Sequence, residues 1–427
     1  MHVIQHLRIE VLADGQVSAR ELQNELSNWC RSNAFWQRVS DRLDELVPPG
    51  AVLQISRLEL EIGAADRAIF LDNLLEKLAL AVENGVRERA MIPEAEYLHG
   101  HAIYFLIHGY LPVGSSAMDG SRVRDFLRGF GNSFHPDFGK MFRREMPDNP
   151  QMIGRLMHYA EAEPARRFLL AALLEDQYID AHYEWIISFF AKNKNAPENG
   201  NADFGQWENA VWKRLFELPV KDVFESKLKL DAVLDDIVRK SGSSENQITK
   251  EESQPSQVDS TLFYIPNAGI VLLAPFFPQL FNALGWIGNR VWKSDAEISL
   301  AVRLIGYVCT GIVDNDEYDW VLPKILCGVP PETVINLETP MPEEAVGLSV
   351  KMMEAAIDQW KVLKSTTPEG LRELFIRRDG KLSRDDEGTG WRLQVDKKSQ
   401  DALLERLPWG IAVIRLPWMD EMLLVEW

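Results

Sequence analysis

The sequence predicts a predominantly α-helical α+β fold: an N-terminal β-α-β element, a helical region, a flexible linker, and a C-terminal helical domain ending in a small antiparallel sheet. Two observations favour this class. Apolar residues recur every three or four positions over most of the chain, which indicates amphipathic helices. Alternating and β-branched runs, which indicate strands, are confined to the two ends of the chain.

The composition is typical of a folded protein with more than one domain. The chain has 427 residues, of which 46% are hydrophobic and 10% aromatic, and this length exceeds what one core usually serves. The formal net charge is −18, and the arginine pairs are scattered, so we expect no nucleic-acid surface. No window approaches the roughly 20 apolar residues of a membrane span.

The first predicted domain, residues 1–65, is the β-α-β element. A strand is followed by a helix that the capping box of Ser18 and Glu21 opens and that runs to about Leu46. A proline-proline-glycine turn ends this helix, and residues 52–62 alternate as a second strand.

The middle of the chain is predicted to be helical. We expect a helical domain over 66–192, a helical segment over 193–240 and a flexible linker over 241–260, because the last stretch holds six serines and no aromatic residue. The predicted helices of this region cover 66–92, 97–110, 121–130, 150–160, 164–192, 204–217 and about 220–240.

The last predicted domain, residues 261–427, combines helices with strands. It begins with the apolar stretch 262–281, in which an asparagine-alanine-glycine entry at 267–269 leads into an apolar helix that we expect to be buried on nearly all sides or held against a partner. Further helices are predicted over 295–311, 320–328, 343–364 and 399–407. Strands are predicted over 375–376, 381–383, 391–395, 410–414 and 422–427.

A repeated tripeptide, Leu-Pro-Trp, marks the end of the sequence at 407–409 and 416–418. Its tryptophans and Trp427 recur at nine-residue spacing. Two interpretations stay open: a platform or interface for a partner, or filling of a small core. The predicted partner-binding or architectural residues are Pro408, Trp409, Gly410, Pro417, Trp418, Glu426, Trp427, Phe276, Phe277 and Phe281.

The sequence contains no catalytic or cofactor-binding constellation. It has no P-loop, no nucleophile elbow and no HExxH motif. The histidines of 99–108 diverge on a helix, which favours surface or helix-start positions over a metal site. The acidic loop 314–319 lacks the glycine and the glutamate of a calcium loop, so it predicts a solvated turn. We therefore expect no enzyme, no cofactor and no metal.

Several of these segments resemble one family. The final stretch RLPWGIAVIRLPWMDEMLLVEW, NAGIVLLAPFFPQLF at 267–281, VLPKILCGVP at 321–330 and the early PPG turn with its RLELEIG strand resemble the tape measure proteins of bacterial contractile injection systems, the phage-tail-like particles. The resemblance covers roughly 1–112 and 262–427.

The resemblance implies a non-enzymatic role in setting or templating the length of the tube and sheath. It also implies inner tube, cap or baseplate proteins as partners, with self-association as a further option. We expect the chain in the cytoplasm during assembly and then in the particle. Chain length separates this role from its alternative, an assembly chaperone or adaptor, because particle length should follow chain length only if the protein sets it. One continuous helix of the whole chain would span roughly 640 Å, but residues 193–260 would span only about 100 Å.

Overall fold

The computed structural model confirms a predominantly helical α+β protein. The residues that it describes are 27–28, 32–47, 50–53, 67–88, 92–115, 117–129, 136–174, 179–193, 204–216, 227–241, 262–337, 339–363, 365–385 and 390–427. Nearly all of the predicted linker, together with the predicted strands at 3–11 and beyond Leu53, lies outside these ranges. The chain divides into two compact units, Met1–His101 with Gly114–Asp119, and Ala102–Val113 with Gly120–Trp427.

The first unit contains a pair of packed helices. Ser32 caps the first of them by accepting a hydrogen bond from the Phe35 backbone N–H at 3.3 Å. The predicted start at Ser18 is outside the described residues. Phe35, Val39 and Leu74 form a small core between the helices. The elements here are α1 (Asn33–Leu46), β1 (Ala51–Val52), α2 (Arg67–Glu88), β2 (Ile92–Pro93) and the start of α3 (Glu94–His108).

The second unit begins with helices that pack through aromatic side chains. One predicted helix over 164–192 is two helices, and a helix over 136–145 was not predicted. Among these aromatic residues, Trp212 is fully buried and contacts Tyr183, Phe190 and Phe216. The helices are α4 (Ala117–Arg128), α5 (Pro136–Glu145), α6 (Gln151–Tyr159), α7 (Ala162–Leu174), α8 (Ile179–Lys192), α9 (Phe204–Phe216) and α10 (Lys227–Ser241).

The apolar stretch 262–281 forms three short elements, and the one helix predicted after the entry at 267–269 is two of them. They are the strand β3 (Phe263–Ile265), a 3-10 helix (Ala268–Phe276) and α11 (Phe277–Ala283). Pro275 lies inside the 3-10 helix and has no N–H to continue an α-helical ladder, and Pro278 can only begin a helix. The expected burial is confirmed, because Ala268–Ala274 are buried without exception.

Hairpins and helices complete this part of the unit. Residues 375–376, predicted as a strand, belong instead to a π-helix (Arg372–Ile376) that continues α15. The elements are β4 (Ile287–Gly288), β5 (Val291–Trp292), α12 (Asp295–Thr310), α13 (Val321–Leu326), α14 (Glu343–Gln359), α15 (Pro368–Leu371), β6 (Gly380–Arg384), β7 (Trp391–Val395), a 3-10 helix (Ser399–Arg406), β8 (Val413–Ile414) and β9 (Leu423–Glu426).

The C-terminal sheet has five strands in the order β3-β6-β7-β9-β8. It is mixed, since β7 and β9 are parallel while the other neighbours are antiparallel. Successive side chains alternate between its faces. One cross-strand row faces the core and is buried: Phe263, Leu382, Leu393 and Val425. The core under this row is continuous with α11–α15 and includes Tyr110.

Candidate functional site

The second Leu-Pro-Trp copy packs against the C-terminal end of α13. The Trp418 indole N–H donates to the Leu326 carbonyl at 2.8 Å, and the Trp292 indole N–H donates to the Cys327 carbonyl at 3.0 Å. The last carbonyls of a helix have no partner within the helix. The two indoles therefore cap α13, and their rings lie 4.8 Å apart beside Phe281.

Two glycines allow these segments to approach one another. Gly328 ends α13 with φ of 76°, and a Cβ there would lie 2.7 Å from the Trp418 carbonyl oxygen. A Cβ at Gly269 would lie 1.7 Å from the Phe375 carbonyl oxygen. The segments at 267–281, 321–330 and 406–427, which carry the family resemblance, are thus in direct contact.

The first Leu-Pro-Trp copy packs on the buried 3-10 helix. The Trp409 ring meets Phe276 edge-on at 4.8 Å, and its N–H donates to the Leu272 carbonyl at 2.9 Å. Phe277 and Phe281 lie deeper and stack at 5.8 Å. The sequence-predicted aromatic residues of both regions therefore come together.

Trp427 lies in a separate cluster. Its indole N–H donates to the Asp401 carboxylate at 3.1 Å, and the guanidinium of Arg378 lies 5.5 Å from its ring centre. Arg378 is fully buried and also donates to Asp401 at 3.0 Å. The hydrogen-bond donors of all three tryptophans are thus used within the chain, which favours core filling for their inner parts.

The remaining predicted residues stay at the surface. Pro408, Gly410, Pro417 and Glu426 are exposed. Glu426 accepts hydrogen bonds from Arg392 at 3.1 Å and from Gln394 at 3.0 Å on the outer face of the sheet. Together with the half-buried tryptophan rings, they leave surface for a partner, and that role stays a prediction.

A buried ion network joins the early helices of the second unit to its C-terminal part. Glu317, 1% exposed, accepts hydrogen bonds from the Arg155 guanidinium at 3.1 Å and from the Lys324 ammonium at 2.8 Å. Arg155 also donates to the carbonyls of Leu106 and Ile107 at 2.9 and 2.8 Å. One carboxylate therefore holds two cations from different elements.

Electrostatics within this network follow from burial and from the mutual proximity of the charges. Burial by itself raises the pKa of Glu317, but Lys324 and Arg155 outweigh it and hold that pKa below its ordinary value. Burial lowers the pKa of Lys324, against the opposing effect of Glu317. The Tyr159 hydroxyl accepts a hydrogen bond from the Glu317 backbone N–H at 3.0 Å, which helps to position the backbone of Glu317.

The network corrects the prediction of a solvated turn over 314–319. Asp316 and Glu317 are buried, and Asp316 accepts a hydrogen bond from Arg124 at 2.7 Å. The expectation was wrong because cations from other elements, Arg155 and Arg124, lie beside the acidic residues, and the loop's own sequence does not reveal them. A signal existed, since Lys324 and Arg155 each stand within an apolar helical run, where an unpaired charge would be costly.

The histidines of 99–108 are less exposed than predicted, since His99 and His101 are buried in α3. The His101 ring packs on Tyr97 at 3.9 Å, and burial lowers the pKa of His101. Within the described residues, no group of three or more histidine, cysteine, aspartate or glutamate side chains could hold a metal ion. No described helix is long and apolar enough to cross a membrane.

The fold and these contacts define the class: a predominantly helical α+β protein in which aromatic caps and buried ion pairs hold distant segments together. The sequence matches, over residues 1–427, the family described as contractile injection system tape measure protein. The chain belongs to this family. Membership implies association with other components of an injection particle and incorporation into it. No curated protein and no solved structure matches the chain.

Proposed function

We propose that this chain is a non-enzymatic structural component that sets or templates the length of the tube and sheath. The observation that carries the proposal is the family match along the whole chain. The second unit supports a division of labour: one hydrophobic core runs through its C-terminal part from Phe263 to Val425 and would make a rigid end. Such an end suits attachment to an inner tube, cap or baseplate protein.

The second candidate is an assembly chaperone or adaptor that binds the same proteins. Its support is the compactness of residues 262–427, because a chain folded around one core offers little length to measure with. The two candidates differ in what they predict for the segment between the helices and this core.

Editing residues 242–260 tests the two candidates. The edited range excludes α9, because Trp212 of α9 is fully buried among aromatic side chains and a deletion that removed it would unfold the helices. Each duplication of 242–260 adds roughly 29 Å if the added chain is helical and at most about 65 Å if it is extended. We expect particle lengths in electron micrographs to increase with the number of copies.

A scrambled 242–260 of unchanged length is the matched control, and it should leave particle length unchanged. If duplication also leaves the length unchanged while particle yield stays normal, length setting is rejected and the adaptor role stands. The cytoplasmic location expected during assembly is checked in the same cells by fractionation before particles form.

A further inference from the structure

The strongest unexplained feature is the hairpin of β4 and β5, whose two-residue turn is Asn289-Arg290. Both residues have positive φ, 51° and 69°, as a type I′ turn requires. Glycine is the favoured second residue of such a turn, since a Cβ disfavours the left-handed region. Among the described residues, these are the only non-glycine positions with positive φ.

The hairpin projects from a rigid base. The Lys293 N–H donates to the Trp286 carbonyl at 3.1 Å, and Trp292 is held by its bond to the Cys327 carbonyl and by the Trp418 ring. Trp286 stacks on Phe281. The base thus belongs to the aromatic cluster described above, and the direction of the turn is fixed by it.

The tip presents groups that have no use within the described chain. Arg290 and Lys293 are exposed, and neither takes part in an ion pair with any other described residue. Val291 between them is 59% exposed. Backbone strain is retained where a side chain performs a task. An exposed arginine where glycine is favoured, with no ion-pair partner among the described residues, indicates a contact outside the chain.

We propose that this hairpin is a docking prong that places Arg290 against a carboxylate-lined groove of another protein of the particle, with Val291 packing beside it. The guanidinium binds a carboxylate with two parallel hydrogen bonds, and arginine is enriched among interface hot spots. The inference rests on the proposed function, because it needs the chain to join a particle.

The test is a set of substitutions in which folding and docking change in opposite directions. R290G removes the guanidinium and gives the turn its favoured residue, so the purified variant should melt at a higher temperature than the wild type. Its recovery with particles sedimented from producing cells should fall about tenfold or more. R290K, which keeps the charge, should lose less.

The matched control is N289G, which relaxes the neighbouring turn position and keeps Arg290; its recovery with particles should equal that of the wild type. A photo-crosslinking residue at position 291 should attach to another particle protein in an acidic stretch. Normal recovery of R290G, or crosslinking only to a second copy of this chain, overturns the inference. Absence of the wild-type chain from particles would instead overturn the proposed function and the inference together.

Discussion

At the scale of single residues, the burial of Glu317 predicts a large loss of stability when its charge is removed. Its carboxylate is the anion for two buried cations, Arg155 and Lys324, both of which lack access to water. Removing one partner of a buried ion pair leaves an uncompensated charge, and that costs about 3–5 kcal/mol. We expect E317Q to lower the free energy of unfolding by this amount in urea titrations.

E426Q is the control, because Glu426 forms an ion pair with Arg392 at the surface, where its side chain is 50% exposed. Exposed pairs contribute about 0–1 kcal/mol. Equal losses for the two variants would show that the Glu317 network is solvated in the native protein, contrary to its burial in the structure.

The stability that the Glu317 carboxylate contributes, measured as the difference between wild type and E317Q, depends on pH in a direction that its pKa determines. A carboxyl whose pKa is lower in the folded than in the unfolded chain contributes stability that is complete above its unfolded pKa and is lost as the pH falls through its folded pKa. For Glu317, whose ordinary value is 4.5, that loss lies below pH 4.5. The difference in unfolding free energy between wild type and E317Q should therefore shrink as the pH falls below 4.5.

At the scale of elements, the indole N–H groups that cap α13 predict a loss of stability when one of them is removed, even if an aromatic ring stays in its place. W418F keeps an aromatic ring beside Phe281 and Trp292 but removes the N–H that the Leu326 carbonyl accepts. A buried acceptor without a donor costs about 1–3 kcal/mol. We expect a loss of that size in chemical unfolding followed by near-ultraviolet circular dichroism.

Trp36 provides the comparison, because it is 37% exposed on α1. W36F should change stability by less than about 0.5 kcal/mol, as is usual for surface substitutions. A W418F variant as stable as W36F would mean that water reaches the Leu326 carbonyl, and the cap would then have no energetic role.

Sequence patterns were reliable for these elements wherever one period dominated. Helices such as α12 and α14 and the β6–β7 pair follow from apolar spacing and a polar turn. The prediction for the stretch 262–281 was wrong because its apolar residues are nearly continuous from Ile270 to Phe277, so they show no helical period, and its prolines decide its conformation. The parallel pairing of β7 with β9 could not be predicted either, since the local sequence of a strand does not indicate which strand it pairs with.

The candidate site, too, could be predicted from the sequence only in part. Repeated Leu-Pro-Trp triplets identify Trp409 and Trp418, but the acceptors of their N–H groups, Leu272 and Leu326, are backbone atoms far away in sequence. Arg290 was missed because its importance lies in its φ angle, and a turn with Asn-Arg has no strong sequence signal.

At the scale of the whole molecule, the ion network predicts that the second unit holds together when its chain is cut. Arg155 and the Leu106 and Ile107 carbonyls that it binds precede residues 242–260, whereas Glu317, Lys324 and the Glu332 carbonyl, which Arg155 also binds, follow them. With a cleavage site for a sequence-specific protease in 242–260, the two halves should elute together from a sizing column. Burial protects the pair from screening, so 1 M salt should not separate them.

The halves of E317Q should separate at a lower urea concentration than those of the wild type, and the halves of E426Q should not. Separation of the wild-type halves in plain buffer would contradict a shared core. In the uncut protein, the two parts would then be linked only by the chain between them.

The strand order of the C-terminal sheet has a consequence for biosynthesis. β9 lies between β7 and β8, although β8 precedes it in the chain. Until β9 pairs with both of them, β7 has an open edge and β8 has no neighbour in the sheet. A newly made chain in which β9 has not yet paired therefore presents strand edges on which other chains can pair and aggregate.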